Sequence, residues 1–337
     1  MNFQQFFKAP KMPALWGLVL LGGVGFFAAS SAHQSLAQPS PEEKAINFLS
    51  REVPRWRPEN GCFSCHNNGD GARVLFVARR HQYAVSEAAL TDTIDWLSRP
   101  LEWDENKGEP GFSDKRLARI QFAASLLEAT RAEAISDQEP LRSAAQTLLA
   151  HQAPDGSWPI DAGEQVGSPV TYGVPLATWM ALRTLEVGDA VTFENEIRLA
   201  RQWLITLDPR SLPDAAAVLL ALTERDSVEI NARRERAMSL IMESQKQDGG
   251  WGPYRFSPSE VFDTALALIV LSQVTEVSDE QRQAITQGRD YLAITQLDSG
   301  GWIETTRPSG ANSYAQHVST SAWATQALIQ TRQFARN

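Results

Sequence analysis

Two cysteines and a histidine stand together near the amino-terminal end of the 337-residue chain, in the run Cys62, Phe63, Ser64, Cys65 and His66. Two thiols at this spacing can each add to one vinyl group of a single haem, and the imidazole that follows can then coordinate the iron. The chain contains no other cysteine. The spacing therefore predicts one covalently attached haem c, with His66 as an iron ligand.

Two other kinds of site are compatible with the same residues. Cys62 and Cys65 could form a short disulfide or a redox-active thiol pair, although no βαβ pattern surrounds them. They could also join His66 in a zinc site, although the further Asp and Cys ligands expected there are missing. An export signal upstream favours haem, because cytochrome c maturation takes place outside the membrane.

The amino-terminal 37 residues have the features of that export signal. Lys8 and Lys11 flank the start of an apolar stretch that runs from about Pro13 to Ala29, and small residues suited to cleavage follow. The stretch is slightly short for a spanning helix, so an uncleaved anchor in the inner membrane is the alternative to cleavage. In both cases we expect the bulk of the chain to be periplasmic.

Residues 38–337 alternate between helical periodicity and short runs rich in Gly, Pro and Asp, with no convincing strand. Alanine-rich segments such as 213–222 and 264–271 are apolar almost all round, as helices buried on both sides must be. Segments such as 228–245 carry charges on one face and are typical of an outer layer. Twelve helices are expected near residues 42–52, 69–82, 86–98, 113–131, 138–152, 168–187, 192–207, 212–224, 228–245, 258–274, 279–296 and 314–333. Six buried helices that alternate with six amphipathic ones predict an all-α fold, an α6/α6 toroid.

One motif recurs three times where outer helices end. The segments Gln152–Trp158, Gln245–Trp251 and Gln296–Trp302 share Gln, a Gly four residues later and Trp six residues after Gln. Gly permits the positive φ that ends a helix, Gln can bind freed backbone groups, and Trp can pack on neighbouring helices. We therefore expect the motif to hold the fold together.

These repeats resemble the QW motifs of squalene-hopene cyclases and, more distantly, those of protein prenyltransferase β subunits. The resemblance covers residues 140–337 and implies the toroid fold of those proteins. Squalene-hopene cyclases protonate a double bond with the middle Asp of a D-x-D-D-T-A motif. In the matching run, Glu260–Ala265, that position is Phe262, which cannot donate a proton. Cyclisation is therefore not expected, and Asp263 is expected to cap its helix or to bond to a neighbouring loop.

The position of the haem-attachment segment, residues 55–85, suggests where the haem would lie. The segment falls between the first outer and the first inner helix, so the haem is expected at one rim of the toroid, over or in an apolar central mouth. A second iron ligand would have to come from the same rim. His317 is the best candidate, because a closed ring brings the last inner helix beside the first; His151 is a weaker one, and a pentacoordinate iron is also open.

Composition and fold together leave two main functions open. A net charge of -9 without a long basic run argues against nucleic acid and favours a basic redox partner protein. The first function is electron transfer or haem-based redox chemistry. The second is a terpenoid- or lipid-binding protein, or a squalene cyclase-like enzyme, that holds a hydrophobic small molecule in the toroid cavity while Cys62 and Cys65 are only structural. A polysaccharide-active α6/α6 enzyme is disfavoured by the Gln-to-Trp repeats.

Overall fold

The computed structural model describes residues 38–106, 114–161, 165–222 and 227–335. The expected export signal, residues 1–37, lies outside the described residues. Within the described ranges the chain forms twelve α-helices and no strand beyond two isolated bridges. In those ranges no helix combines the length and the apolar character needed to cross a membrane.

The helices follow the order that the periodicity predicts. They are α1 (Pro41–Asn60), α2 (Ala72–Arg80), α3 (Thr91–Leu97), α4 (Lys115–Arg131), α5 (Glu139–Leu149), α6 (Gly173–Asp189), α7 (Glu194–Thr206), α8 (Leu212–Ala221), α9 (Val228–Ser244), α10 (Val261–Leu271), α11 (Asp279–Thr295) and α12 (Tyr314–Gln330). The largest difference from the expected bounds is in α1, which was expected to stop before Pro54. It continues through Pro54 and Pro58 and ends at Gly61, whose φ of 69° is left-handed.

The even-numbered helices form a closed inner ring, and the odd-numbered helices surround it. Around the inner ring each helix contacts the next, and α12 contacts both α2 and the turn before it. All eleven residues of the inner helix α10 are buried, whereas the outer helix α9 buries only Ala237, Ile241 and Ser244. This difference is the one that the sequence pattern predicts, and the all-α α6/α6 toroid is confirmed.

Each Gln-to-Trp repeat forms the same set of hydrogen bonds, which we call a staple. The Gln side-chain amide donates to the carbonyl of the repeat glycine at 2.9 to 3.1 Å. It also donates, at 2.9 Å, to a carbonyl in the first two turns of the next outer helix, which belongs in turn to Glu196, Ala284 and Pro41. The Trp indole N–H donates at 2.7 to 2.9 Å to the outer helix that has just ended. The third staple joins α11 to α1 and so closes the ring.

Candidate functional site

Cys62, Cys65 and His66 lie at the end of the inner ring where the inner helices begin. Gly61 ends α1, and a π-helical turn, Cys65–Gly71, leads directly into α2. The motif thus connects the first outer helix with the first inner helix, at the place that the sequence predicts.

Two polar side chains fix the backbone of this segment. The Ser64 hydroxyl accepts hydrogen bonds from the backbone N–H groups of His66 at 3.1 Å and Asn67 at 3.2 Å, as an N-cap residue does. The Asn106 side chain accepts from the N–H of Phe63 at 3.0 Å and donates to its carbonyl at 2.7 Å. The backbone between the two cysteines is therefore held from both sides.

Both cysteines are free thiols. Cys62 is buried, and its sulfur accepts a hydrogen bond from the Trp56 indole N–H at 3.3 Å. Burial raises the pKa of the Cys65 thiol, and the nearby Asp70 carboxylate adds to this shift. Cys65 is therefore a protonated thiol, unlike the low-pKa cysteine of a redox-active pair. In the described parts of the chain no group of three or more His, Cys, Asp or Glu side chains is arranged to hold a metal ion.

His66 is held through one ring nitrogen. Its Nδ1 lies 3.1 Å from Ser319 Oγ, and the Ser319 hydroxyl donates to Asp70 Oδ2 at 2.7 Å. Because the single hydroxyl proton goes to the carboxylate, Ser319 can only accept from His66, and we infer that Nδ1 carries the imidazole proton. Burial lowers the pKa of His66 to about 4, so the ring is neutral at pH 7. The lone pair is then on Nε2, which lies 3.5 Å from Cys65 Sγ.

Asp70 is completely buried behind Ser319. Besides Ser319, its carboxylate accepts hydrogen bonds from the Tyr172 hydroxyl and, at 3.1 Å, from the Gln121 side chain. The Arg73 guanidinium lies 3.7 Å away. Burial raises the pKa of Asp70, while Arg73 and the three hydrogen bonds act in the opposite direction. Every partner is a donor, which is the arrangement that an ionised carboxylate requires.

The centre of the inner ring is filled by large side chains around Trp323. The Trp323 ring packs edge-on against Tyr172 and Phe262, with ring centroids 5.6 Å apart in both cases. The Arg73 guanidinium lies 4.5 Å from the centre of the Trp323 ring and donates to Gln326. The sequence predicted an apolar mouth here, but long polar and aromatic side chains from several inner helices meet at the axis instead.

Comparisons with known proteins agree with this architecture. A family model described as the squalene-hopene cyclase C-terminal domain matches residues 189–337. Among solved structures, the apo type II terpene cyclase MstE from Scytonema matches with a TM-score of 0.60 and 14% identity, over 88% of this chain and 100% of that chain. The ent-copalyl diphosphate synthase from Streptomyces platensis matches with a TM-score of 0.52 and 19% identity, over 77% of this chain and 50% of that one. The chain has the α/α toroid fold of the terpene cyclases.

A curated relative matches the chain at the level of sequence. Lanosterol synthase erg7A of Aspergillus fumigatus is 25% identical to this chain over 199 residues, which are 57% of this chain and 24% of that protein. The chain thus spans about a quarter of the length of this curated relative. At these identities the likeness establishes the fold, and the chemistry has to be argued from the site.

The run that matches the acid motif of the cyclases, Glu260–Ala265, has Phe262 in place of an Asp, and an arginine engages its Asp263. Phe262, in the place of the proton donor, is completely buried. Asp263 is bound by Arg307, which also pairs with Glu260 at 3.1 Å. Burial raises the pKa of Asp263 well above its usual value, Arg307 opposes the shift and Glu260 adds to it. The prediction that Asp263 bonds to a neighbouring loop is confirmed.

The toroid does not bring His317 to His66. The His317 ring packs edge-on against Phe48 of α1, with centroids 5.2 Å apart, and its Nδ1 lies 3.8 Å from a Glu304 carboxylate oxygen. Ser319, two residues further along α12, is the residue that contacts His66. Residues two apart on an α-helix point roughly 200° away from each other. His317 thus faces the outer layer, and this geometry does not support the prediction that His317 is the second iron ligand.

His151, the weaker candidate, belongs to a different cluster. One of its ring nitrogens contacts the guanidinium of Arg119, which also pairs with Asp104. Burial lowers the pKa of His151, and the positive charge of Arg119 lowers it further. These contacts make His151 a partner of Arg119.

Sequence reasoning missed the residues that hold His66. Ser319 is the first of three consecutive hydroxyl residues in the buried part of α12, and Asp70 lies two residues after a pair of asparagines in the turn before α2. Polar residues in segments that must be buried could have indicated Ser319 and Asp70, because buried polar groups need hydrogen-bond partners.

Proposed function

We propose that this chain is an exported c-type haem protein that functions in electron transfer or haem-based redox chemistry. One haem would be held at the end of the α/α toroid where the inner helices begin. One observation carries the proposal: the hydrogen-bond chain from His66 through Ser319 to Asp70 leaves the Nε2 lone pair on the side of the thiols. A histidine that ligates a metal needs this neutral form, and a partner on its other nitrogen fixes the ring.

The residues present fit covalent haem attachment. Each thiol would add its S–H across one vinyl C=C bond, with a new C–S bond and the proton on the other vinyl carbon, so attachment consumes no oxidant. Cys62 and Cys65 are free, as this addition requires. Trp56 contacts Cys62 Sγ and stacks on Tyr314 with ring centroids 5.5 Å apart, so aromatic surface lies beside the first thiol. Bound haem would supply one-electron redox chemistry.

The protein's own contribution would be to orient and tune His66. Ser319 would accept a hydrogen bond from the Nδ1–H group, and the Asp70 carboxylate behind it would make the imidazole a better electron donor through Nε2. The Asn106 and Ser64 contacts hold the spacing of the two thiols. Export, inner-membrane association through residues 1–37 and a basic redox partner protein are parts of the same proposal.

A second candidate function is favoured by the comparisons. The family match over residues 189–337 and the terpene-cyclase structures support a terpenoid- or lipid-binding protein, or a squalene cyclase-like enzyme, more directly than they support haem. Phe262 in the place of the proton donor and Arg307 on Asp263 argue against cyclisation. Binding of a hydrophobic small molecule, with Cys62 and Cys65 structural, is therefore the form of this candidate that we retain.

The decisive experiment is expression of the full chain with and without the cytochrome c maturation machinery, followed by a pyridine haemochrome spectrum and an intact mass. We expect a c-type α band and the added mass of one haem, both lost in the Cys62→Ala, Cys65→Ala double variant. Ser64→Thr is the matched control, because it changes a residue between the thiols and keeps the capping hydroxyl. Colourless protein of apo mass from cells that mature a known cytochrome c would refute the haem proposal. An isoprenoid recovered by solvent extraction from that protein would support the second candidate.

A further inference from the structure

The end of the inner ring opposite the thiol segment contains a cavity lined by both charged and apolar side chains. It has a volume of about 480 Å³ and is lined by residues near the carboxyl-terminal ends of all six inner helices. This volume is in the range of small-molecule sites. Three arginines from neighbouring helices line it: Arg80 of α2, Arg131 of α4 and Arg183 of α6.

The three arginines converge on one buried carboxylate. Glu128 is paired with Arg80 at 2.6 Å, with Arg183 at 2.9 Å and with Arg131 at 3.3 Å. The side chain of Glu128 is only 5% exposed, whereas those of the arginines are 21 to 39% exposed. One carboxylate facing three guanidinium groups leaves an excess of two positive charges.

The remaining acidic residue of the cavity does not cancel this excess. Glu186 also lines the cavity, but it is paired with Arg201 at 2.8 Å. The neighbouring His81 has its pKa lowered first by burial and next by Arg80, as expected in a positive field. The cavity is thus a positive region on a chain whose net charge is -9.

The ends of the inner helices account for only part of this charge. Exposed carbonyls give a helix carboxyl terminus a partial negative charge, and a cation in the last turn offsets it. Arg80 and Arg131 are in the last turns of α2 and α4 and fit that role. Arg183 is six residues before the end of α6, beyond the reach of this effect, and lies 5.3 Å from the centre of the Trp179 ring.

We propose that this cavity binds a compact oxyanion that carries phosphate or carboxylate groups. The guanidinium faces not used by Glu128 supply planar donors that match such oxygens. Apolar side chains, among them Leu182 and Ile269, line the cavity as well and focus the positive potential into it. Trp179 is 96% buried in the cavity wall, with a relative exposure of 4%, and its indole N–H has no hydrogen-bond partner.

Isothermal titration calorimetry of the full chain at low salt tests the proposal, with inorganic pyrophosphate and citrate as probes for phosphate and carboxylate groups. We expect at least one probe to bind, and Arg183→Gln to weaken that binding by roughly tenfold or more, as the loss of a charge-assisted contact does. The control is Arg99→Gln, which removes an exposed arginine paired with Asp95 and Glu102 and should change affinity by less than about twofold.

Two results would overturn the proposal. One is no binding of either probe at millimolar concentration, and the other is an equal loss of affinity in Arg183→Gln and Arg99→Gln. If Arg183→Gln loses its helical circular dichroism, Arg131→Gln, whose side chain is 35% exposed, replaces it with the same expected outcome. Because the measurement does not involve Cys62 or Cys65, its result is independent of haem attachment.

Discussion

Replacement of Ser319 by alanine tests the hydrogen-bond chain behind His66. Two bonds are lost at once: the 2.7 Å bond from Ser319 to Asp70 and the 3.1 Å bond from His66 to Ser319. A hydrogen bond to a charged group contributes about 1.5 to 3 kcal/mol to stability, and a bond between neutral groups contributes about 1 kcal/mol. We therefore expect Ser319→Ala to lower the free energy of unfolding by about 2.5 to 4 kcal/mol.

The chain provides a matched control in another inner helix. Ser125 of α4 is also completely buried, but its hydroxyl has no hydrogen-bond partner. Ser125→Ala removes the same atom without breaking a bond, so its free energy of unfolding should change by no more than about 0.5 kcal/mol. The difference between the two variants isolates the bonds from the loss of a hydroxyl group.

Urea unfolding followed by far-ultraviolet circular dichroism gives both values from the shift of the midpoint. A second readout is the nitrogen spectrum of histidine-labelled protein, in which His66 Nδ1 should be the protonated nitrogen. Equal costs for Ser319→Ala and Ser125→Ala, or a proton on Nε2 in the wild-type chain, would refute our account of the site.

Three further predictions concern the staples, the titration of His66 and the arginine cavity. Gln296→Met keeps the side-chain length but removes both amide donors, so the free energy of unfolding should fall by about 2 kcal/mol. The control Gln283→Met, on the exposed side of α11, should lower it by less than about 0.5 kcal/mol. Equal shifts of the urea midpoint in the two variants would contradict the role of the staple. Because burial lowers the pKa of His66 to about 4 from 6.5, the unfolded chain binds the proton more tightly, and stability should fall by up to about 3 kcal/mol as the pH drops from 6.5 to 4. His66→Gln should lack this contribution in urea unfolding at several pH values, and an identical pH dependence in the two proteins would count against it. Glu128→Gln should lower the free energy of unfolding by about 3 kcal/mol, because three arginines lose their buried counter-charge, whereas Glu59→Gln on the surface should cost less than about 1 kcal/mol in the same assay.

The fold was predictable because a toroid imposes two distinct sequence patterns. An inner helix such as α10 is apolar on every side, and an outer helix such as α9 needs only one apolar face. The boundary of α1 was not predictable in the same way. Proline usually ends a helix, and its cost within α1 depends on contacts with α2 and α12 that no local pattern contains.

The site was predictable only where its chemistry is local. The spacing of Cys62, Cys65 and His66 is visible in five consecutive residues, whereas Ser319 is 253 positions away from His66. A single sequence contains no signal that pairs residues at such a separation. The large side chains at the centre of the ring were also not predictable. Periodicity shows which face of a helix turns inward, but it does not show how far a side chain such as Trp323 reaches across the ring.

The third staple has a consequence for how this architecture can change. In an open array of hairpins a unit can be added or deleted at either end, because each contacts only its neighbours. The hydrogen bond from Gln296 to Pro41 joins the last outer helix to the first, so the array has no free end. An extra hairpin would enlarge the ring and separate α11 from α1. The number of hairpins is therefore fixed at six by geometry. The loops and helix ends at the two open faces of the ring, where the thiol segment and the arginine cavity are found, can change without breaking this closure.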